Sequence, residues 1–144
     1  AFGAGGAGND GGPGNDAGHV RIYEYSSSSW SQLGNDIDGE ANGDYSGISV
    51  SMNSAGDRVA IGAYYNDGTT GNSSDNRGHV RIYEYSNSSW TQLGSDIDGE
   101  AAVDHSGIAV SMNSDGDRVA IGASGNDGTD SNAEIRRASC RERV

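Results

Sequence analysis

The sequence lacks lysine altogether and has one proline and one cysteine among 144 residues. It also lacks any apolar run near the roughly 18 residues that a membrane-spanning helix needs, which excludes such a helix. Positive charge is scarce, because nine arginines stand against 21 acidic residues and give a formal net charge of −12. Binding to phosphate-rich partners needs a basic patch, so this balance argues against nucleic acids and anionic membranes as partners. No basic-then-apolar leader opens these residues, which leaves a signal peptide either absent or upstream.

The last residues differ in composition from the rest. Residues 134–144 hold four of the nine arginines and the only cysteine, Cys140, but no glycine. The string from Ala138 to Val144 resembles the translation of a common sequencing-adaptor strand. We interpret residues 133–144 as a non-native tail read through from an adaptor, and we expect the chain to be a fragment of a longer reading frame. A short basic amphipathic tail is the alternative. Under the first interpretation Cys140 carries no information on disulfides.

What the sequence does contain is an internal repeat. Shifting the chain by sixty residues aligns residues 18–72 with residues 78–132 without a gap, and 43 of the 55 positions are identical. The opening residues Ala1 to Ala4 also align with Ala60 to Ala63 when one or two loop residues are inserted. A long, nearly perfect period is typical of an array in which each unit is one supersecondary element covered by its neighbours.

Within each copy the apolar residues alternate, which predicts β-strands. Residues 108–112 carry large apolar side chains at alternate positions with alanine and serine between them, and residues 48–52 repeat the pattern. The Asn/Asp/Gly-rich residues 113–117 predict a hairpin turn into a second strand at 118–123. Tyrosine, valine and isoleucine favour a third strand at 79–85, and we expect an outer strand at residues 90–93. The sequence therefore predicts four strands per sixty residues and no helix.

Four short antiparallel strands at a fixed period are typical of a blade of a β-propeller. Small residues at alternate positions, Ala109, Ser111, Ala120 and Gly122, would let one sheet face approach the next blade closely. We therefore predict an all-β fold that is a fragment of a β-propeller, with about two four-stranded antiparallel blades. Residues 1–45 would form a partial blade, 46–105 a complete blade and 106–132 a second partial blade. A closed ring needs about four to eight blades, so this length cannot close alone.

At these residues the chain resembles a known family. The string from Gly107 to Ala123, then Asn-Asp-Gly, then Gly-His-Val-Arg-Ile-Tyr-Glu-Tyr is similar to FG-GAP-type repeats of integrin-alpha-like β-propellers, in the variant found in large secreted and cell-surface proteins. The resemblance covers residues 1 to about 132. It implies a propeller used for extracellular adhesion or ligand binding, without catalytic activity of its own.

Calcium binding is the next question, because the hairpin loop of integrin-like blades chelates calcium. The turns at 53–57 and 113–117 offer few oxygens, whereas calcium takes about six to eight, so we interpret both as plain turns. A second set of acids repeats in each copy, and those at 96, 98 and 100 would share one face if extended. Either a cation or solvent must relieve their charge, and we favour solvent, so no metal ligand or cofactor is assigned and calcium remains an alternative. These acids are Asp36, Asp38, Glu40 and Asp44, and Asp96, Asp98, Glu100 and Asp104.

Other motifs are weaker. The glycine-rich residues 5–16 partly match a calcium β-roll repeat, but their spacing is six residues instead of nine, so an elongated loop is the better interpretation. Trp30 and Trp90 could stack on sugars, but once-per-copy aromatics favour packing between blades. Asn72 and Asn87 each begin a glycosylation triplet.

No catalytic motif is recognisable either. His19 and His79 are explained by duplication, and His105 stands where the other copy has Tyr45. No nucleophile elbow and no phosphate-binding glycine loop occurs.

We therefore expect a non-enzymatic adhesion or ligand-binding module of a larger secreted or cell-surface β-propeller protein. It would lie outside the cell, bind a protein or carbohydrate at a cell surface, and contact neighbouring blades of the same chain. A calcium-dependent binding module is the first alternative. A fragment of a propeller hydrolase or lyase, with its catalytic cluster in other blades, is the second.

Overall fold

The computed structural model describes residues 2–4 and 15–128, and within them every strand pair is antiparallel, no sheet is closed and no helix occurs. The all-β, antiparallel prediction is therefore confirmed. The described residues also contain no helix long and apolar enough to cross a membrane. The twelve strands are β1 (Phe2–Ala4), β2 (His19–Arg21), β3 (Tyr23–Ser26), β4 (Ser29–Gln32), β5 (Ile37–Asp38), β6 (Ser49–Met52), β7 (Arg58–Ala63), β8 (His79–Ser86), β9 (Ser89–Gln92), β10 (Ile97–Asp98), β11 (Ser106–Met112) and β12 (Val119–Ala123).

We call residues 2–4 and 15–45 the first unit, 46–105 the second unit and 106–128 the third unit. The second unit forms one sheet in the order β6-β7-β8, and both β9 and β10 pair with the free edge of β8. Strand β9 pairs with the last four residues of β8, and β10 pairs with its first two. The fourth position of the sheet is thus shared by two short strands. The sequence pattern missed β10 because two residues are too few to show alternation.

The hairpin turns follow from local side-chain chemistry. In the turn between β6 and β7, Asn53 Oδ1 accepts hydrogen bonds from the backbone N–H groups of Asp57 and Arg58, at 3.1 and 3.0 Å. The β8–β9 turn places Asn87 and Ser88 at φ 50° and 64°, the left-handed pair that a two-residue hairpin needs. The predicted turns at 53–57 and 113–117 are confirmed, since Asn113 makes the same bonds to the N–H groups of Asp117 and Arg118.

The first unit repeats this arrangement with a break. Strands β2 and β3 are the counterparts of β8, but they are separated at Ile22. Strand β1 pairs only with residues 19–21, whereas its counterpart β7 pairs along β8 from His79 to Glu84. Among the residues that the structure describes, 23–26 pair with β4 in a two-stranded hairpin.

The sheets stack face to face. One face of the second unit presents Val59, Ile61 and Tyr83 to a buried cluster that includes Val20 and Ile37 of the first unit. The other face presents smaller residues to the third unit, and Ser49 Oγ donates to Gly107 O at 2.6 Å. A Cβ added at Gly62 would overlap Gly107 O, so glycine is required for this close approach. The core therefore lies between the sheets, where both faces of the second unit are covered.

Candidate functional site

The acids that the repeat places in each copy separate into two groups. Asp44 and Asp104 are buried and hold loops together. Asp44 Oδ2 accepts from Asn66 Nδ2 at 2.8 Å and from the Ala41 N–H at 3.1 Å, and Asp104 makes the matching pair of bonds. Burial raises the pKa of Asp44, and the hydrogen bond from Asn66 opposes that rise. The loops thus use these two carboxylates as internal acceptors.

The remaining acids other than Glu100 lie near two histidines. Asp36 and Asp38 lie with His19, while Asp96 lies with His79 and with Glu40 from the preceding unit. In each of these two groups the ligand atoms all lie within 4.8 Å of one another. Sequence reasoning grouped Glu100 with Asp96 and Asp98, but Glu100 accepts a hydrogen bond from Asn126 of the third unit at 3.3 Å. Strand β10 ends at Asp98, so the glutamate of each copy reaches towards the unit that follows.

His79 is the centre of the second group. Its side chain is 1% exposed, and three carboxylate oxygens surround its Nδ1 atom, from Glu40 at 3.8 Å and from Asp96 and Asp98 at 3.9 Å each. Neither ring nitrogen has a hydrogen-bond partner in the described residues. Leaving a buried polar group unpaired costs about 1–3 kcal/mol, so a ligand bound to a His79 ring nitrogen would remove that cost.

The protonation of His79 follows from its burial. Burial, aided by the positive charge of Arg81 and opposed by Asp96, lowers the pKa of His79 to about 4. The imidazole is therefore neutral at neutral pH and keeps a lone pair for a ligand. Burial also raises the pKa of Glu40, and Arg81 opposes that rise. We call Glu40, His79, Asp96 and Asp98 the histidine cluster.

Arg81 joins the histidine cluster to the first unit. Its guanidinium donates to the backbone carbonyl of Asp38 at 2.8 Å, and its Nη1 atom lies 3.5 Å from Glu40 Oε1. The side chain is 7% exposed. Its counterpart Arg21 instead bonds to Asp36 of its own unit at 3.0 Å.

A second feature lies where the two copies differ. Four ring side chains, which we call the aromatic cluster, meet where β6 begins, β7 ends and β11 begins. The ring centroids of Tyr64 and Tyr65 are stacked 4.1 Å apart, and His105 packs edge-on to Tyr65 at 5.1 Å. Tyr45 lies 5.5 Å from Tyr65. All four rings are partly exposed.

Sequence reasoning missed this cluster. It took the exchange of Tyr45 for His105 as evidence only that this position does not require imidazole chemistry. Tyr64 and Tyr65 are replaced by Ser124 and Gly125 in the next copy. A comparison of the positions that differ between the copies would have identified all of these residues.

Several other sequence predictions also have an outcome. Trp90 packs against the buried cluster and its indole N–H donates to Leu33 O at 2.8 Å, which confirms packing between units for this residue. Trp30 is 68% exposed. Asn72 and Asn87 are both exposed, so glycosylation there stays a prediction.

Other predictions fall on residues that the structure does not describe. The interpretations of the glycine-rich residues 5–14 and of the tail at 133–144 lie outside the described residues.

In comparisons with known proteins, no family model matches this chain and no curated protein sequence matches it.

Proposed function

We propose that the chain is part of an FG-GAP-type β-propeller that acts as a non-catalytic binding module outside the cell, with its ligand held at the aromatic cluster. Three features support the proposal. Equivalent parts of neighbouring units lie side by side, and the outward faces of the array expose the same residues that the units bury against each other. The aromatic cluster occupies only positions that differ between the copies.

The stacking supports the propeller. Ser54 and Ser114 are equivalent residues sixty positions apart, and the N–H and Oγ of Ser54 donate to Ser114 O at 3.1 and 3.0 Å. Met112 N–H likewise donates to Ser51 Oγ at 2.9 Å. Equivalent turns lying side by side across two sheets are the arrangement of neighbouring propeller blades.

The exposed faces support a longer array. Trp90 of the second unit covers Leu33 of the first, whereas Trp30 and Leu93 are 68% and 40% exposed. A further unit before the first would offer a leucine to Trp30, and a further unit after the second would offer a tryptophan to Leu93. Each pair would then repeat the contact between Trp90 and Leu33. Terminal faces of this kind are expected in repeat proteins, since each repeat buries its surface only against neighbours.

The aromatic cluster carries the binding proposal. Most positions that build the sheets are the same in both copies, with Ser31/Thr91 and Ser49/Ala109 as exceptions, whereas the rings at 45, 64, 65 and 105 are not. Binding residues concentrate on connecting segments held by a rigid scaffold, which is where these four residues lie. A carbohydrate suits them best, because aromatic rings offer flat apolar faces to sugar rings and the tyrosine hydroxyls add hydrogen bonds.

The binding proposal is tested by screening the purified chain against a glycan array. We expect selective binding to a small set of glycans, and loss of that binding in Tyr65→Ala. Tyr25→Ala is the matched control, because Tyr25 is also an exposed tyrosine paired with an aromatic ring but lies in the β3–β4 hairpin. Full binding by Tyr65→Ala, or turnover of the bound glycan, would contradict the proposal.

The propeller is tested separately by joining copies of the second unit in tandem. Small-angle scattering of chains with about four to eight copies should show a maximum dimension that stops growing once the ring closes. Steady linear growth with copy number would indicate a solenoid instead.

A further inference from the structure

We propose that the histidine cluster binds one divalent transition-metal ion of the zinc type, held by Glu40, His79 and Asp96 with Asp98 as a fourth ligand, and that this ion ties the first unit to the second. The inference does not depend on the proposed carbohydrate binding, because the histidine cluster and the aromatic cluster share no residue.

The geometry of His79 carries the inference. Its Nδ1 atom is buried, has no hydrogen-bond partner in the described residues, and faces three carboxylate oxygens at 3.8–3.9 Å. These distances are too long for hydrogen bonds. Two ligands on one tetrahedral zinc ion lie about 3.4 Å apart, so side-chain shifts of about an ångström would bring Glu40, His79 and Asp96 onto one ion. The ligand atoms of these three residues all lie within 4.8 Å of one another, and Asp98 Oδ1 lies 3.9 Å from His79 Nδ1.

The local charge points the same way. Glu40, Asp96 and Asp98 bring three carboxylates to His79, and the guanidinium of Arg81 lies against one of them, Glu40. A divalent cation among these carboxylates would offset their mutual repulsion. Gln92 Nε2 donates to Asp96 Oδ1 at 2.6 Å and leaves Oδ2 directed to His79, as an outer partner orients a metal ligand.

The ligand set selects the class of ion. Calcium takes about six to eight oxygen ligands, whereas the histidine cluster offers one imidazole nitrogen and the carboxylates of Glu40, Asp96 and Asp98. An imidazole together with carboxylates suits zinc and neighbouring transition metals. We therefore expect zinc to bind more tightly than calcium.

The first unit supplies a natural comparison. His19 lies with Asp36 and Asp38, but Arg21 bonds to Asp36 at 3.0 Å, and no glutamate stands with this group in the part of the chain that the structure describes. A fixed positive charge and one fewer carboxylate should weaken metal binding there. The structure thus contains a complete site and an incomplete copy of it.

The experiment is a zinc titration of the full chain by calorimetry, with Cys140→Ser as the background so that the thiol does not compete. We expect one tight site per chain, weaker binding of calcium, and an affinity loss of about tenfold or more in Glu40→Gln and in Asp96→Asn. Glu100→Gln and Asp36→Asn are the matched controls, since they are the same residues in the neighbouring units. Both should leave the tight site unchanged.

Cobalt substitution gives an independent readout that does not depend on stability. Bound Co²⁺ should show visible d–d absorption in the parent chain and lose it in Glu40→Gln, which removes only a partly exposed carboxylate and should not prevent folding. The inference is overturned if zinc does not bind, if Glu40→Gln binds as tightly as the parent, or if Asp36→Asn abolishes the tight site.

Discussion

The stretch from His19 to Asp44 and the stretch from His79 to Asp104 have nearly the same sequence but different environments. Tyr23 is 38% exposed and Tyr83 only 9%, while Ile37 is 4% exposed and Ile97 is 40%. The differences run in opposite directions because Ile37 and Tyr83 both belong to the cluster between the first and second units, whereas their counterparts Ile97 and Tyr23 lie outside it. Burial in this chain is therefore set by the neighbouring unit, and the local sequence does not decide it.

The largest effect should come from the isoleucine pair. Ile37→Ala should lower the free energy of unfolding by about 2–5 kcal/mol, because it leaves a cavity in the cluster between the first and second units. Ile97→Ala should cost less than about 1 kcal/mol at its exposed position. Urea denaturation of the two variants measures both values. Equal losses would mean that the two stretches do not differ in burial as described.

The next effect concerns the spacing between sheets. Gly62→Ala should cost about 1–3 kcal/mol, because the added methyl group would overlap Gly107 O and force the sheets apart. Gly122→Ala is the matched control, since its methyl group would meet Ala109 Cβ at an ordinary 3.5 Å. Thermal unfolding followed by circular dichroism compares them. A lower midpoint for Gly122→Ala than for Gly62→Ala would contradict this packing.

The tryptophan pair should show a smaller difference. Trp90→Phe removes the N–H that donates to Leu33 O and should cost about 1–2 kcal/mol. Trp30→Phe should change stability by less than about 0.5 kcal/mol, since Trp30 is largely exposed. The two single-tryptophan variants also report on burial, because acrylamide should quench Trp30 fluorescence more strongly than Trp90 fluorescence. Equal quenching of the two variants would contradict the difference in burial between Trp30 and Trp90.

The smallest effect should be the same in both stretches. Ser28 and Ser88 both adopt φ 64° in their hairpin turns. Replacing either by glycine should raise the free energy of unfolding by about 0.5 kcal/mol, because glycine adopts the left-handed conformation without the strain that serine carries. Denaturant midpoints of Ser28→Gly and Ser88→Gly should shift upward together. A shift in only one of them would show that the turn conformation also depends on the neighbouring unit.

The sequence was sufficient to predict what depends on near neighbours in the chain. Period-two alternation predicted β6 and β11, the preference of tyrosine, valine and isoleucine for strands predicted β8, and the Asn/Asp/Gly-rich residues 113–117 predicted a hairpin turn. The shared edge formed by β9 and β10 was not predicted, because a two-residue strand has no period to detect. The β-propeller and the family resemblance rest on the repeat pattern and stay proposals.

The histidine cluster escaped prediction for a different reason. Glu40 and Asp96 are 56 positions apart and belong to different units, so a search within one copy grouped Asp96 with Glu100. Only the stacking of units brings Glu40 to His79. The aromatic cluster was missed because its four rings come from separate turns and lie at positions that differ between the copies.

The mixed origin of the aromatic cluster also bears on how such a chain avoids errors during synthesis. Tandem copies that are almost identical can exchange strands with the wrong neighbour and become trapped in swapped topologies. Because Tyr45, Tyr64, Tyr65 and His105 interlock as one set of unlike rings, a misplaced copy would bring serine and glycine to that junction and lose the ring contacts. These ring contacts would therefore stabilise the correct pairing of units relative to an exchanged pairing.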